Sequence, residues 1–130
     1  LASFAFVLAR VAYSDSEISR DERRRMEHIV RDVGGLSEAQ AVLVVQIAKS
    51  QQLLKGGTEN YLVTREFGRI ANREQKERLL HCLFETSAAD DSISLVEEDE
   101  IKAIAAELKF EHNEFSAIRS RYNSQRSILR

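Results

Sequence analysis

Apolar residues recur along this chain at intervals of three and four, and each run with that spacing predicts one amphipathic helix. Phe4, Val7, Leu8 and Val11 form the first stripe, over about residues 2–14. Met26, Ile29, Val30 and Val33 form the second, which Gly34 and Gly35 stop. Residues 37–50 contain the run AVLVVQIA, apolar on nearly every side, which predicts the most buried helix of the fold. After a turn at Gly56 and Gly57, the residues Val63, Phe67, Ile70 and Ala71 predict a fourth helix that ends at Asn72. Leu79, Leu80, Leu83 and Phe84 mark a fifth helix over residues 74–88. Ile101, Ile104, Ala105 and Leu108 mark a sixth, and Phe115, Ile118 and Tyr122 a seventh. The expected fold class is all-α with about seven helices.

The pattern also repeats. A shift of 75 residues lays Leu8 on Leu83, Met26 on Ile101, Ile29 on Ile104, Val30 on Ala105 and Val33 on Leu108. With one residue dropped at the Gly-Gly turn, Ala41 falls on Phe115 and Val44 on Ile118. The expectation is one domain over residues 1–130, with duplicated three-helix units at about 1–50 and 76–124 joined by a linker helix.

The match is best in the loops between the first two helices of each unit. Both read Asp-x-x-Ile-Ser-x-x-Glu: DSEISRDE from Asp15 to Glu22 and DDSISLVE from Asp90 to Glu97. Ser-x-x-Glu is a capping box, in which the serine oxygen accepts the amide of the glutamate position and the glutamate reaches back to the serine amide. Ile18 and Ile93 then read as buried anchors before each cap. A second reading starts from the same spacing, because Asp, Ile and Glu at these intervals copy the latter half of an EF-hand loop. Its first and third ligand positions fall on Val11 and Tyr13, and on Thr86 and Ala88, so a calcium site of that type is not expected. What remains is a pair of carboxylate clusters, Asp15, Glu17, Asp21 and Glu22 against Asp90, Asp91, Glu97 and Glu98. Brought together, they offer ligands for a divalent cation or a surface for a basic partner.

Composition narrows the choice. The 130 residues include no proline and five glycines, and 43% apolar against 31% charged content is that of a globular chain. A net charge of −2 gives no basic footprint, so nucleic acid is not an expected partner. Cys82 is the single cysteine, which excludes an intrachain disulfide and points to the cytoplasm. The longest apolar stretch, Leu1 to Tyr13, is interrupted by Arg10 and is too short to span a bilayer. No nucleotide-binding or nucleophile-elbow motif is present, so no catalytic residues and no enzyme are expected. His81 and Cys82 are helix neighbours pointing about 100° apart, a poor nucleophile–base pair. Cys82 is expected in the core, and His28 and His112 in solvent. Arg23, Arg24 and Arg25 spread over several faces, and Arg119, Arg121, Arg126 and Arg130 make the tail basic.

The segments AYSDSEISRDE and SAADDSISLVE, with REQKERLLHCLFETSAADD before the second motif and FEHNEFSAIRSRY after it, give the chain its resemblance to a known family. It resembles the TerB-like family associated with tellurite resistance, whose paired motif reads approximately Ala-Asp-Gly-x-Ile-x-x-x-Glu. The usual glycine is replaced by Ser16 in one copy and Asp91 in the other. The resemblance implies a seven-helix fold, an acidic patch proposed to bind metal, and a place in bacterial stress response. Carried onto this sequence, the implied metal residues are Asp15, Glu22, Asp90 and Glu97. The functional expectation is a non-enzymatic module that binds a divalent cation or a partner protein. The alternative is a regulatory domain of a longer protein, such as a J-domain co-chaperone, with purely structural acidic motifs.

Overall fold

The computed structural model describes residues 2–14, 19–89 and 93–125. Six α-helices and one closing 3-10 helix make up the fold: α1 (Ala2–Ala12), α2 (Arg20–Gly34), α3 (Glu38–Ile70), α4 (Arg73–Ser87), α5 (Leu95–Glu107) and α6 (His112–Arg119), then Ser120–Gln125 in 3-10 form. The fold class is all-α. Among the described residues there is no strand, and Ile93 sits in an isolated β-bridge.

The starts of α2, α3, α4 and α5 are chemically specified. Ser19, Ser37, Asn72 and Ser94 are N-caps, and each closes a capping box with the residue three positions on: Glu22, Gln40, Gln75 and Glu97. Each box satisfies two of the amide donors that a helix start leaves without intrahelical partners. Asn72 therefore begins α4, where the sequence reading had it ending the preceding helix. Its side-chain oxygen accepts the Gln75 amide at 2.8 Å, a role that asparagine fills as well as it fills a C-terminal position.

Two further expectations are corrected. The predicted turn at Gly56 and Gly57 does not form, so the third helix and the linker helix are one 33-residue helix, α3. Each glycine costs a helix only about 1 kcal/mol relative to alanine, and no proline interrupts the hydrogen-bond ladder. The most buried helix is α1, in which every residue from Phe4 to Ala12 is buried. It packs against α2, α3, α4 and α5. In α3 only one face, with Ala41, Val45, Ala48, Thr64 and Phe67, is covered, while Leu43, Ile47, Leu53 and Leu54 face solvent. An all-apolar run thus marks the third helix without telling which of its faces has neighbours.

The core is filled by Leu8, Met26, Leu79, Leu80, Leu83, Phe84, Ile93, Ile101 and Ile104, all nearly inaccessible. Full burial of a side chain of this size stabilises the fold by about 1.5–3 kcal/mol. The Arg10 guanidinium is buried beside them. Arg10 donates to Glu100 at 2.5 Å, to both oxygens of Glu107 at 2.8 and 3.0 Å, and to Thr64 at 3.0 Å, tying α1 to α3 and α5. A buried guanidinium is tolerable because its donors are met by two carboxylates.

Candidate functional site

The two acidic motifs meet the described structure at their C-terminal halves. Ser19 Oγ accepts the Glu22 amide at 3.0 Å, and the Ser19 amide donates to Glu22 Oε1 at 3.1 Å. Ser94 and Glu97 repeat the arrangement at 3.0 and 3.3 Å. Both boxes expected from the sequence therefore form. Asp15 and Asp90 lie outside the described residues, as do Ser16, Glu17, Ile18, Asp91 and Ser92.

Burial separates these two boxes from the others in the same chain. Gln40 and Gln75, which complete the boxes at α3 and α4, are exposed, and Glu114, which completes the box at α6, is half-exposed. Glu22 and Glu97 hold the same position in their helices but are only 5% and 4% exposed. A capping box uses one side-chain oxygen of its third residue. Glu22 Oε1 does that work, and Glu22 Oε2 is buried without a hydrogen bond. Burying a carboxylate oxygen with nothing to offset its lost hydration is costly, so capping alone does not account for a buried glutamate here. An orphaned buried oxygen of this kind suits a hard cation, which takes carboxylate ligands.

One cleft joins the first motif to the residue that precedes the second. Asp21, inside the first motif, and Ala89, immediately before Asp90, line the same concavity of about 330 Å³. Arg24, Arg25 and His28 complete the lining. Glu98, next to Glu97, is buried as well, and the Arg119 guanidinium reaches it at 3.5 Å. Among the described residues, no three His, Cys, Asp or Glu side chains form a metal-binding group.

The remaining sequence candidates fall away from this chemistry. Cys82 is buried, and burial pushes its thiol up to about 11, so it is not a nucleophile at ordinary pH. His81 is half-buried beside Tyr122, whose hydroxyl lies 3.2 Å from Nδ1. Loss of solvent, with Arg121 nearby, lowers its pKa below the usual 6.5. His28 and His112 are exposed, His28 between Arg31 and Asp32 and His112 beside Ser116. Arg23, Arg24 and Arg25 are solvent-facing, Arg126 and Arg130 lie outside the described residues, and no described helix is long and apolar enough to cross a membrane. Sequence reasoning did not find Arg10 and its two glutamates, because residues 90 and 97 positions apart carry no local spacing signal.

Comparison with known proteins adds one match. The family model described as "Tellurite resistance protein TerB" covers residues 1–120. No curated protein and no solved structure matches the chain.

Proposed function

The chain belongs to the TerB tellurite-resistance family, and on that footing we propose that it is a non-enzymatic stress-response module whose two acidic motifs hold a divalent cation. Glu22 and Asp15 from the first motif and Glu97 and Asp90 from the second are the ligands in this reading. The observation that carries it is the contrast among the capping boxes: Gln40, Gln75 and Glu114 keep contact with solvent, whereas Glu22 and Glu97 in the two acidic motifs are buried. The shared cleft of Asp21 and Ala89 supports convergence of the motifs. A cation held there contributes charge neutralisation and fixes two loops to each other, which suits a binding or signalling role. The formed capping boxes favour a second reading, in which the motifs are structural and the domain serves as an interaction module of a longer protein.

The double change Glu22→Gln with Glu97→Gln separates the two, because glutamine completes a capping box nearly as well as glutamate while losing the charge. In the cation reading, millimolar calcium, magnesium or manganese raises the melting temperature of the parent. At a concentration 100 times Kd the stabilisation is about 2.7 kcal/mol. The glutamine variant loses that response. A parent whose melting curve and calorimetric titration both ignore all three cations leaves the structural reading in place.

A further inference from the structure

A separate pocket of about 380 Å³ opens where the start of α1, the ends of α2 and α3 and the first turns of α4 come together. None of its lining residues belongs to either acidic motif. Phe4, Val33, Phe67 and Ile70 make the walls, with the Phe4 and Phe67 rings tilted against each other at 6.3 Å. Ile70 is 66% exposed, so apolar surface is left at the mouth for a ligand to cover. No carboxylate lines the pocket, and its single charged group is Arg78.

Among the described residues no ion pair holds Arg78; its side chain hydrogen-bonds the Cys82 thiol one turn along α4, which supplies no charge because burial keeps it protonated. Gln75 stands one turn before Arg78 on the same helix. Its carbonyl oxygen already accepts the Asn72 amide at 2.9 Å, which leaves its NH2 group as a donor. The pocket therefore combines apolar walls with the Ser3 hydroxyl, the Gln75 amide and a guanidinium that carries no ion pair, and at about 380 Å³ it has the size of a small-molecule site. Arg78 and Gln75 are exposed at the rim of the pocket, and guanidinium pairs with carboxylate there through two parallel hydrogen bonds.

We propose that this pocket binds a small aliphatic monocarboxylate, with its chain against Phe4, Val33, Phe67 and Ile70 and its carboxylate on Arg78 and Gln75. The proposal is independent of the cation reading, since it uses other residues and another face of the fold. Decanoate, decanol and decyltrimethylammonium, each kept below its micelle concentration, are the probes, with amide chemical shifts and calorimetry as readouts. Decanoate shifts the amides around the pocket and saturates, decanol binds more weakly, and the cationic probe does not bind. Arg78→Gln weakens decanoate on the order of tenfold to a hundredfold, as expected for loss of a charge-assisted hydrogen bond, and leaves decanol unchanged. Ala71→Phe fills the pocket and removes both. Ile70→Glu, an exposed change that needs no repacking, repels decanoate and spares decanol. The proposal is overturned if decanoate gives no saturable shift, if Arg78→Gln binds it like the parent, or if the cationic probe competes equally. It is also overturned, in favour of capture of a peptide C-terminus, if an acetylated peptide ending in leucine binds and decanoate does not.

Discussion

Among the described residues two close helices in the left-handed backbone region, Gly35 after α2 with φ 63° and Lys109 after α5 with φ 70°. At Lys109 the amide of Phe110 bonds back to the Ala105 carbonyl at 2.9 Å, the closure of a Schellman motif. At Gly35 the Leu36 amide does the same to Arg31 at 3.0 Å. Lys109 is exposed, so its side chain contributes no packing to offset the backbone penalty. A side chain in this region costs about 1–2 kcal/mol, part of which glycine returns through the freedom of its unfolded chain. Lys109→Gly is therefore expected to stabilise the protein by about 0.5–1 kcal/mol. Gly35→Ala is expected to destabilise it by about 1 kcal/mol through backbone strain alone, since a Cβ there meets nothing within 4 Å. Urea midpoints of the two variants test this, and midpoints that move in the same direction contradict it.

At the scale of elements, α3 gives the sharpest test, because a helix that runs through Gly56 and Gly57 gains from alanine at both. The change Gly56→Ala with Gly57→Ala is expected to raise stability by roughly 1–2 kcal/mol and to increase the helical signal. A fall in melting temperature instead indicates a chain reversal that needs glycine, the reading the sequence alone suggested. Why the sequence misled there is physical: glycine signals a turn only when no flanking residues carry the helix across it. Elsewhere the helices were legible, since the stripes Met26 to Val33 and Ile101 to Leu108 lie within or at the ends of α2 and α5, and both serine caps form. The candidate site was legible as spacing. The burial of Glu22 and Glu97, which distinguishes them from Gln40 and Gln75, depends on neighbours from other helices and has no trace in a motif. The pocket around Arg78 was illegible for the same reason, being assembled from four helices.

For the molecule as a whole, the position of α1 decides how the two halves of the chain depend on each other. Helix bounds keep the 75-residue offset, with α1 ending at Ala12 and α4 at Ser87, and α2 starting at Arg20 and α5 at Leu95. Two such units are candidates for separate folding bodies, but α1 touches helices of both halves, and Arg10 binds Glu100 and Glu107 directly. Removing one α1 core residue therefore acts on α5 as well as on α2. Leu8 is fully buried, and Leu8→Ala is expected to cost about 2–5 kcal/mol, the range for a truncated core leucine. If the chain unfolds as one cooperative body, that loss appears equally in the hydrogen-exchange protection of amides in α2 and in α5. Leu83→Ala, its counterpart at the 75-residue offset and equally buried, is expected to do the same from the other side. The far-ultraviolet and tyrosine signals, the latter from Tyr13, Tyr61 and Tyr122, then give coincident urea transitions for the parent and both variants. Loss of protection confined to α2 in Leu8→Ala and to α5 in Leu83→Ala is the contrary outcome, and it makes each three-helix unit its own folding body.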